Sequence, residues 1–99
     1  MTATKYLIAT ETLCSQYEIE FSFVDALHQI GLLRVEIIEQ HRFIHQDQIA
    51  DFEKMIRLHH ELDVNPEGID VIFNLLEKER ALQSEINSLK NRLRIYEND

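Results

Sequence analysis

The stretch of the chain that lacks helix-breaking residues constrains the fold most. No Gly or Pro occurs between Ile69 and Tyr96, and the 99 residues include only two Gly and one Pro. An all-β fold needs many turns, and those turns commonly use Gly and Pro. The sequence therefore predicts a mainly α-helical protein that ends in one long helix.

Apolar residues change their spacing along this last helix. A wide stripe at its start, from Ile69 to Leu76, suits packing against preceding helices. Further on, apolar residues recur in heptads and form the two-position seam of a coiled coil, which Glu79 interrupts once. The heptad residues are Leu75, Leu82, Ile86, Leu89, Leu93 and Tyr96.

The charges beside the seam favour pairing with a second copy of the chain. Glu85 and Arg92 occupy g positions, while Lys90 and Glu97 occupy e positions, so opposite charges meet across a dimer. A small chain has a small core, and oligomerisation is a common source of added stability. We therefore expect a homodimer, with parallel and antiparallel arrangements both open. The alternative is that the stripe packs against its own domain.

The first thirty residues predict a helix-turn-helix unit. Residues 10–12 have the pattern of a helix start, which gives a short helix through Cys14. A second helix ends at Gly31, and together the two helices have the outline of the motif. The apolar face of the second helix comprises Phe21, Phe23, Val24, Leu27 and Ile30.

The middle of the chain predicts a β-hairpin, which we call the wing, followed by two helices. Residues 32–38 and 42–44 are rich in β-branched and aliphatic side chains, and residues 39–41 between them lack Gly. A third helix follows from Gln46. Asn65 fits an N-cap and Pro66 the first position of the last helix. We therefore divide the chain into a winged helix-turn-helix domain with its following helix (1–63) and a long C-terminal helix (64–99).

Charge and cysteine content restrict the cellular compartment and the kinds of binding partner that we expect. The chain has 18 Asp and Glu against 10 Lys and Arg, for a net charge of −8 that divides equally between residues 1–50 and 51–99. This acidity disfavours nucleic acid and anionic membranes and favours a basic partner. Cys14 alone excludes an internal disulfide, and neither a signal peptide nor a membrane span is evident, so we expect a cytoplasmic protein.

No group of residues predicts catalysis, a metal site or a cofactor. His41 with His45, and the adjacent His59 and His60, lack further ligands at suitable spacing. Cys14 fits a small buried residue better than a nucleophile. Gly-rich phosphate loops and nucleophile motifs are missing from the sequence. We therefore expect a non-enzymatic protein with no catalytic residues, no metal and no cofactor.

The helix-turn-helix unit lacks the cations that DNA binding needs. A recognition helix presents Arg, Lys, Asn or Gln to the bases, supported by cations on the phosphates. Residues 18–29 contain three acids and no Lys or Arg, and residues 1–50 hold three cations against seven acids. The charge of this unit therefore argues against DNA binding.

Several short segments, in order and spacing, resemble a known family. The chain resembles the MerR-like helix-turn-helix fold and, within it, the chaperone modulator family CbpM. The resemblance covers most of the chain. It rests on residues 8–11 leading to Cys14, on Gly31-Leu32-Leu33, on Arg42-Phe43-Ile44, on residues 56–62, on Pro66-Glu67-Gly68-Ile69, and on Leu75 and Leu76 before the leucine-spaced tail.

The resemblance implies a function in chaperone regulation. Members of this family are small dimeric bacterial proteins that bind the J-domain of a CbpA/DnaJ-like co-chaperone and inhibit its work with Hsp70 (DnaK). Compared with DNA-binding members of the fold, this chain has no Pro after Gly31-Leu32-Leu33, one Arg in the wing and an acidic second helix.

Two other functions stay open beside this one. They are a MerR-like DNA-binding transcriptional regulator and a dimeric interaction module with another partner. For the J-domain function, J-domains present a basic helix to an acidic surface, so acids of the helix-turn-helix and wing would lie nearest the partner. The predicted partner-binding residues are Glu18, Glu20, Asp25, Glu36 and Glu39.

Overall fold

The fold is mainly helical, with a small sheet and a long last helix, as the sequence predicts. A computed structural model describes residues 6–97. Predictions for residues 1–5, which include Lys5, and for residues 98–99 fall outside this range. The elements in order are β1 (Leu7–Ala9), α1 (Thr10–Tyr17), α2 (Phe21–Ile30), β2 (Val35–Ile38), β3 (His41–His45), a 3-10 turn (Gln46–Gln48), α3 (Ile49–Leu62) and α4 (Pro66–Glu97).

Helices α1 and α2 form the predicted helix-turn-helix. Helix α1 continues three residues beyond the predicted end at Cys14 and stops where Glu18 adopts a left-handed conformation, with φ of 54°. Helix α2 ends at Gly31, whose φ of 95° favours glycine, and the Gly31 N–H donates to the His28 carbonyl. Both ends therefore arise from local backbone geometry.

The sheet has three antiparallel strands in the order β1-β3-β2. The predicted hairpin is confirmed, but its turn is shorter than expected, because His41 already belongs to β3. The turn residues Glu39 and Gln40 both have positive φ, at 49° and 67°, as in the tight turns that suit the twist of two strands. Strand β1 was not predicted, since three residues directly before a helix show no strand periodicity.

The core lies where the two helices of the motif meet β3, α3 and the first turns of α4. Phe21, which the spacing places on the apolar face of the second helix, is 43% exposed, because α2 packs through Phe23, Val24 and Leu27. The buried apolar residues are Leu13, Ile19, Phe23, Val24, Leu27, Leu33, Ile44, Phe52, Met55, Ile56 and Ile69.

The start of α4 is fixed by the predicted cap. The Gly68 N–H donates to Asn65 Oδ1 at 2.8 Å, and the Ile69 N–H donates to the Asn65 carbonyl at 2.9 Å. Ile69 is buried, but from Asn74 onward every described side chain of α4 is exposed. The helix therefore leaves the domain, and the radius of gyration is 18.4 Å, compared with about 13 Å for a compact chain of this length.

Within residues 6–97, no helix has both the length and the apolar composition required to cross a membrane.

Candidate functional site

Glu18 and Glu20 lie at the turn between α1 and α2. Glu18 ends α1 and Glu20 is the residue before α2, while Ile19 between them is buried at 9% exposure. The Ser22 hydroxyl donates to Glu20 Oε2 at 3.3 Å. Because Ile19 occupies the core, its two acidic neighbours lie exposed at the surface.

Asp25, also predicted to lie near a partner, links α2 to the β2–β3 hairpin through an ion pair. Arg42 Nη1 lies 3.4 Å from Asp25 Oδ1, and Gln29 donates to Asp25 Oδ2 at 3.0 Å. The Arg42 guanidinium also lies 5.2 Å from the ring centroid of Phe21. Asp25 is therefore half-buried and already paired with a cation.

Glu36 and Glu39 belong to the wing. Glu36 is exposed on β2 opposite Phe43 of β3, and Glu39 is exposed in the hairpin turn. Of the five predicted residues, Glu18 and Glu20 thus share the α1–α2 turn, Asp25 lies on α2, and Glu36 and Glu39 lie on the β2–β3 hairpin.

The cations of the helix-turn-helix and wing each lie beside a carboxylate. Between residues 6 and 50 the only Lys or Arg side chains are Arg34 and Arg42. Arg34 Nη2 lies 3.8 Å from Asp47 Oδ1, and Arg42 pairs with Asp25. Such exposed pairs add little stability, but each cancels a local positive charge. This part of the chain consequently offers phosphates no uncompensated Lys or Arg.

A groove of about 430 Å³ opens between the α1–α2 turn and the junction of α3 with α4. One wall is a stacked pair in which the rings of Phe23 and His59 lie 4.3 Å apart. His59 Nδ1 is 3.2 Å from the Val64 carbonyl and donates to it, since a carbonyl only accepts. The lining residues are Glu18, Ile19, Glu20, Ser22, Phe23, Ala26, His59, His60 and Pro66.

Sequence reasoning missed this groove. His59 lies half-buried at the edge of the core, and His60 is exposed. The contact between Phe23 and His59, however, joins residues 36 positions apart, and the local sequence around neither residue indicates it. Only the way α3 packs against α2 reveals the site.

The heptad residues of α4 are all exposed. Their exposed fractions run from 44% at Ile86 to 78% at Tyr96, with Leu82 at 60%. The stripe does not pack against its own domain, which was the alternative to pairing. Ile95 does not occupy a seam position of the heptad repeat, yet it is also exposed, at 67%.

Cys14 and Tyr17 are parts of the structural framework. Cys14 packs against the core, and burial raises the pKa of its thiol, which reduces the reactive thiolate. The Tyr17 hydroxyl donates to Glu53 at 2.8 Å, and this hydrogen bond, with partial burial and the Glu53 charge, raises the pKa of Tyr17. Over residues 6–97, no three His, Cys, Asp or Glu side chains are placed to hold a metal ion.

Comparison with known proteins gives one result. A family model described as MerR HTH family regulatory protein matches residues 8–91 of the chain. No curated protein and no solved structure shows a significant match.

Proposed function

Since the chain belongs to the MerR HTH family of regulatory proteins, we propose that it acts by binding a protein rather than DNA. In this proposal it is a non-enzymatic chaperone modulator similar to CbpM. It binds the J-domain of a CbpA/DnaJ-like co-chaperone through the acidic helix-turn-helix and wing. By covering the basic helix of that J-domain, it competes with Hsp70 (DnaK).

The observation that carries the proposal is the distribution of charged side chains over the helix-turn-helix and the wing. Arg34 and Arg42 each face a carboxylate of the same chain, while Glu18 and Glu20 stay exposed without a cationic partner among the described residues. An acidic field attracts a basic protein surface and repels phosphates. This distribution supports a basic protein partner.

Exposed apolar residues near the acids supply candidate anchors for such an interface. Phe21 at the start of α2 is 43% exposed, and Ile37 on the wing is 68% exposed. Binding energy usually concentrates in a few apolar or aromatic residues surrounded by polar ones. We assign this role to Phe21, because Arg42 and Glu20 flank it.

The modulator acts as a homodimer in this proposal. The exposed heptad residues of α4 leave an apolar seam that a second copy of the helix would cover. A dimer would present two acidic surfaces to co-chaperone molecules.

Charge reversal tests the proposal directly. Glu18→Lys combined with Glu20→Lys should weaken J-domain binding about tenfold or more and reduce its salt dependence, because charges at an interface steer association and fix register. The dissociation constant is measured by calorimetry with a purified CbpA-type J-domain at two salt concentrations. Unchanged affinity with weak salt dependence would contradict the assigned surface.

A matched control separates the surface from net charge. Asp51→Lys combined with Glu77→Lys changes the net charge equally, but on α3 and α4 away from the α1–α2 turn. This variant should bind the J-domain like the unmodified protein. An equal loss of affinity would show that overall charge, not the turn, determines binding.

Family membership itself favours the second candidate, a DNA-binding transcriptional regulator. The same protein is therefore mixed with random duplex DNA at physiological salt. We expect binding too weak to measure in the nanomolar range. Nanomolar affinity for DNA would overturn the proposed function.

A further inference from the structure

We infer that the groove beside the α1–α2 turn receives one long cationic side chain, Arg or Lys, from a basic helix of the partner. The inference deepens the proposed function and rests on it for the partner's identity. The groove itself is tested separately, with a small probe.

The floor of the groove suits the aliphatic part of such a side chain. Phe23 and His59 stack face to face, with ring centroids 4.3 Å apart and an interplanar angle of 20°. The half-buried His59 ring thus lies over the buried Phe23 ring, and both contribute apolar ring surface to the lining. Ala26 and Pro66 extend the lining with apolar surface. Lys and Arg bury their methylene stems along apolar surfaces of this kind while their charged groups stay at the polar end.

The mouth of the groove carries the matching charge. Glu18 and Glu20 line the groove, and no Lys or Arg within residues 6–97 belongs to its lining. Neither carboxylate lies within an ion pair among the described residues. The Ser22 hydroxyl donates to one oxygen of Glu20 and leaves the other oxygen to accept from a ligand. A guanidinium N–H can form a charge-assisted hydrogen bond with this oxygen.

The size of the groove favours a side chain over a whole helix. Its volume of 430 Å³ lies near the lower end of the roughly 300–1,000 Å³ of ligand pockets. A basic helix would therefore lie across the α1–α2 turn and insert one residue. The residue of the helix that faces the groove must then be Arg or Lys.

Titration with N-acetyl-arginine amide tests the groove without the partner. Followed by amide NMR, the probe should cause saturable shifts at Ile19, Ser22 and Ala26, and N-acetyl-citrulline amide, which is neutral, should cause none. Glu20→Gln should weaken the response to the arginine probe, whereas Asp51→Asn should leave it unchanged. Equal shifts with citrulline, shifts confined to other regions, or none at all would overturn the inference.

Filling the groove connects this test to the partner. Ser22→Trp keeps both carboxylates but occupies the space, so J-domain affinity should fall about tenfold, as expected when a central contact is lost. Ser15→Trp, on the exposed surface of α1, is the control. If Ser22→Trp does not fold, as judged by circular dichroism, the arginine titration of Glu20→Gln decides alone.

The two hypotheses fail differently. J-domain binding that survives in a folded Ser22→Trp variant would overturn the groove and leave the proposed function standing. Arginine binding in a protein that does not bind the J-domain would overturn the proposed function and support the groove.

Discussion

The N-terminal domain (residues 6–76) and the projecting tail (residues 77–97) use the same apolar residues in opposite ways. Leu27 and Phe52 in the domain are fully buried, whereas Leu82 and Leu89 in the tail are 60% and 49% exposed. The domain completes its core with its own chain. No element within residues 6–97 packs against the tail, so the apolar residues of the tail stay exposed in the described part of the chain.

The N-terminal domain and the projecting tail also differ in net charge. The N-terminal domain holds 13 Asp and Glu against four Lys and Arg, and the projecting tail holds four against five. Division of the sequence at residue 50 hides this contrast, since each half then carries −4. Acidity is therefore a property of the domain, and the nearly balanced tail carries charges suited to pairing between helices.

The largest effect should come from a cavity in the domain core. Phe52→Ala removes a side chain with 0% exposure, and we expect the free energy of unfolding to fall by about 3–5 kcal/mol. Urea denaturation followed by circular dichroism measures it. Phe21→Ala, at a 43% exposed position, should lower the free energy of unfolding clearly less. Equal losses for the two variants would contradict the assigned core.

A second change tests whether the tail needs a partner. Leu82→Glu combined with Leu89→Glu places charges in the apolar seam and should convert a dimer to a monomer, as sedimentation equilibrium would show. Ile95→Glu, at an equally exposed position outside the heptads, should leave the dimer intact. A monomeric unmodified protein, or dissociation by Ile95→Glu, would refute pairing through the seam.

The smallest of these effects concerns the junction between the two regions. Asn65→Ala removes the side-chain acceptor for the Gly68 N–H and should lower the free energy of unfolding by about 1 kcal/mol. The measurement is again urea denaturation. Asn91→Ala, in the exposed tail, is the matched control and should have almost no effect; a larger loss there would show that the cap is not the cause.

Much of the fold was predictable because its signals are local. Asn65-Pro66 marks the start of α4, Gly31 marks the end of α2, and heptad spacing continues to Tyr96. Periodicity places Phe21 on the apolar face of α2, but it does not show which part of that face meets the core, and Phe21 is 43% exposed. The pairing of β1 with β3 depends on residues about 35 positions apart, beyond the reach of local patterns.

The candidate site was predictable only in part. Glu18 and Glu20 were counted with the second helix, but α2 begins at Phe21, so both acids precede the helix and only Asp25 lies on it. The pairing of Asp25 with Arg42 across 17 residues and the stacking of Phe23 on His59 depend on tertiary contacts. The sequence therefore indicated that this surface is acidic, and the fold determined which of the acids stay unpaired with a cation.

The unbroken length of α4 has a consequence for geometry between molecules. Its 32 residues span about 48 Å at 1.5 Å per residue. In an antiparallel pair the two acidic surfaces lie at opposite ends, so deleting one heptad would shorten their separation by about 10 Å. In a parallel pair both surfaces lie at the same end, and the deletion would leave their spacing unchanged. Only in an antiparallel pair, therefore, does the length of α4 determine how far apart a target must hold its two binding sites.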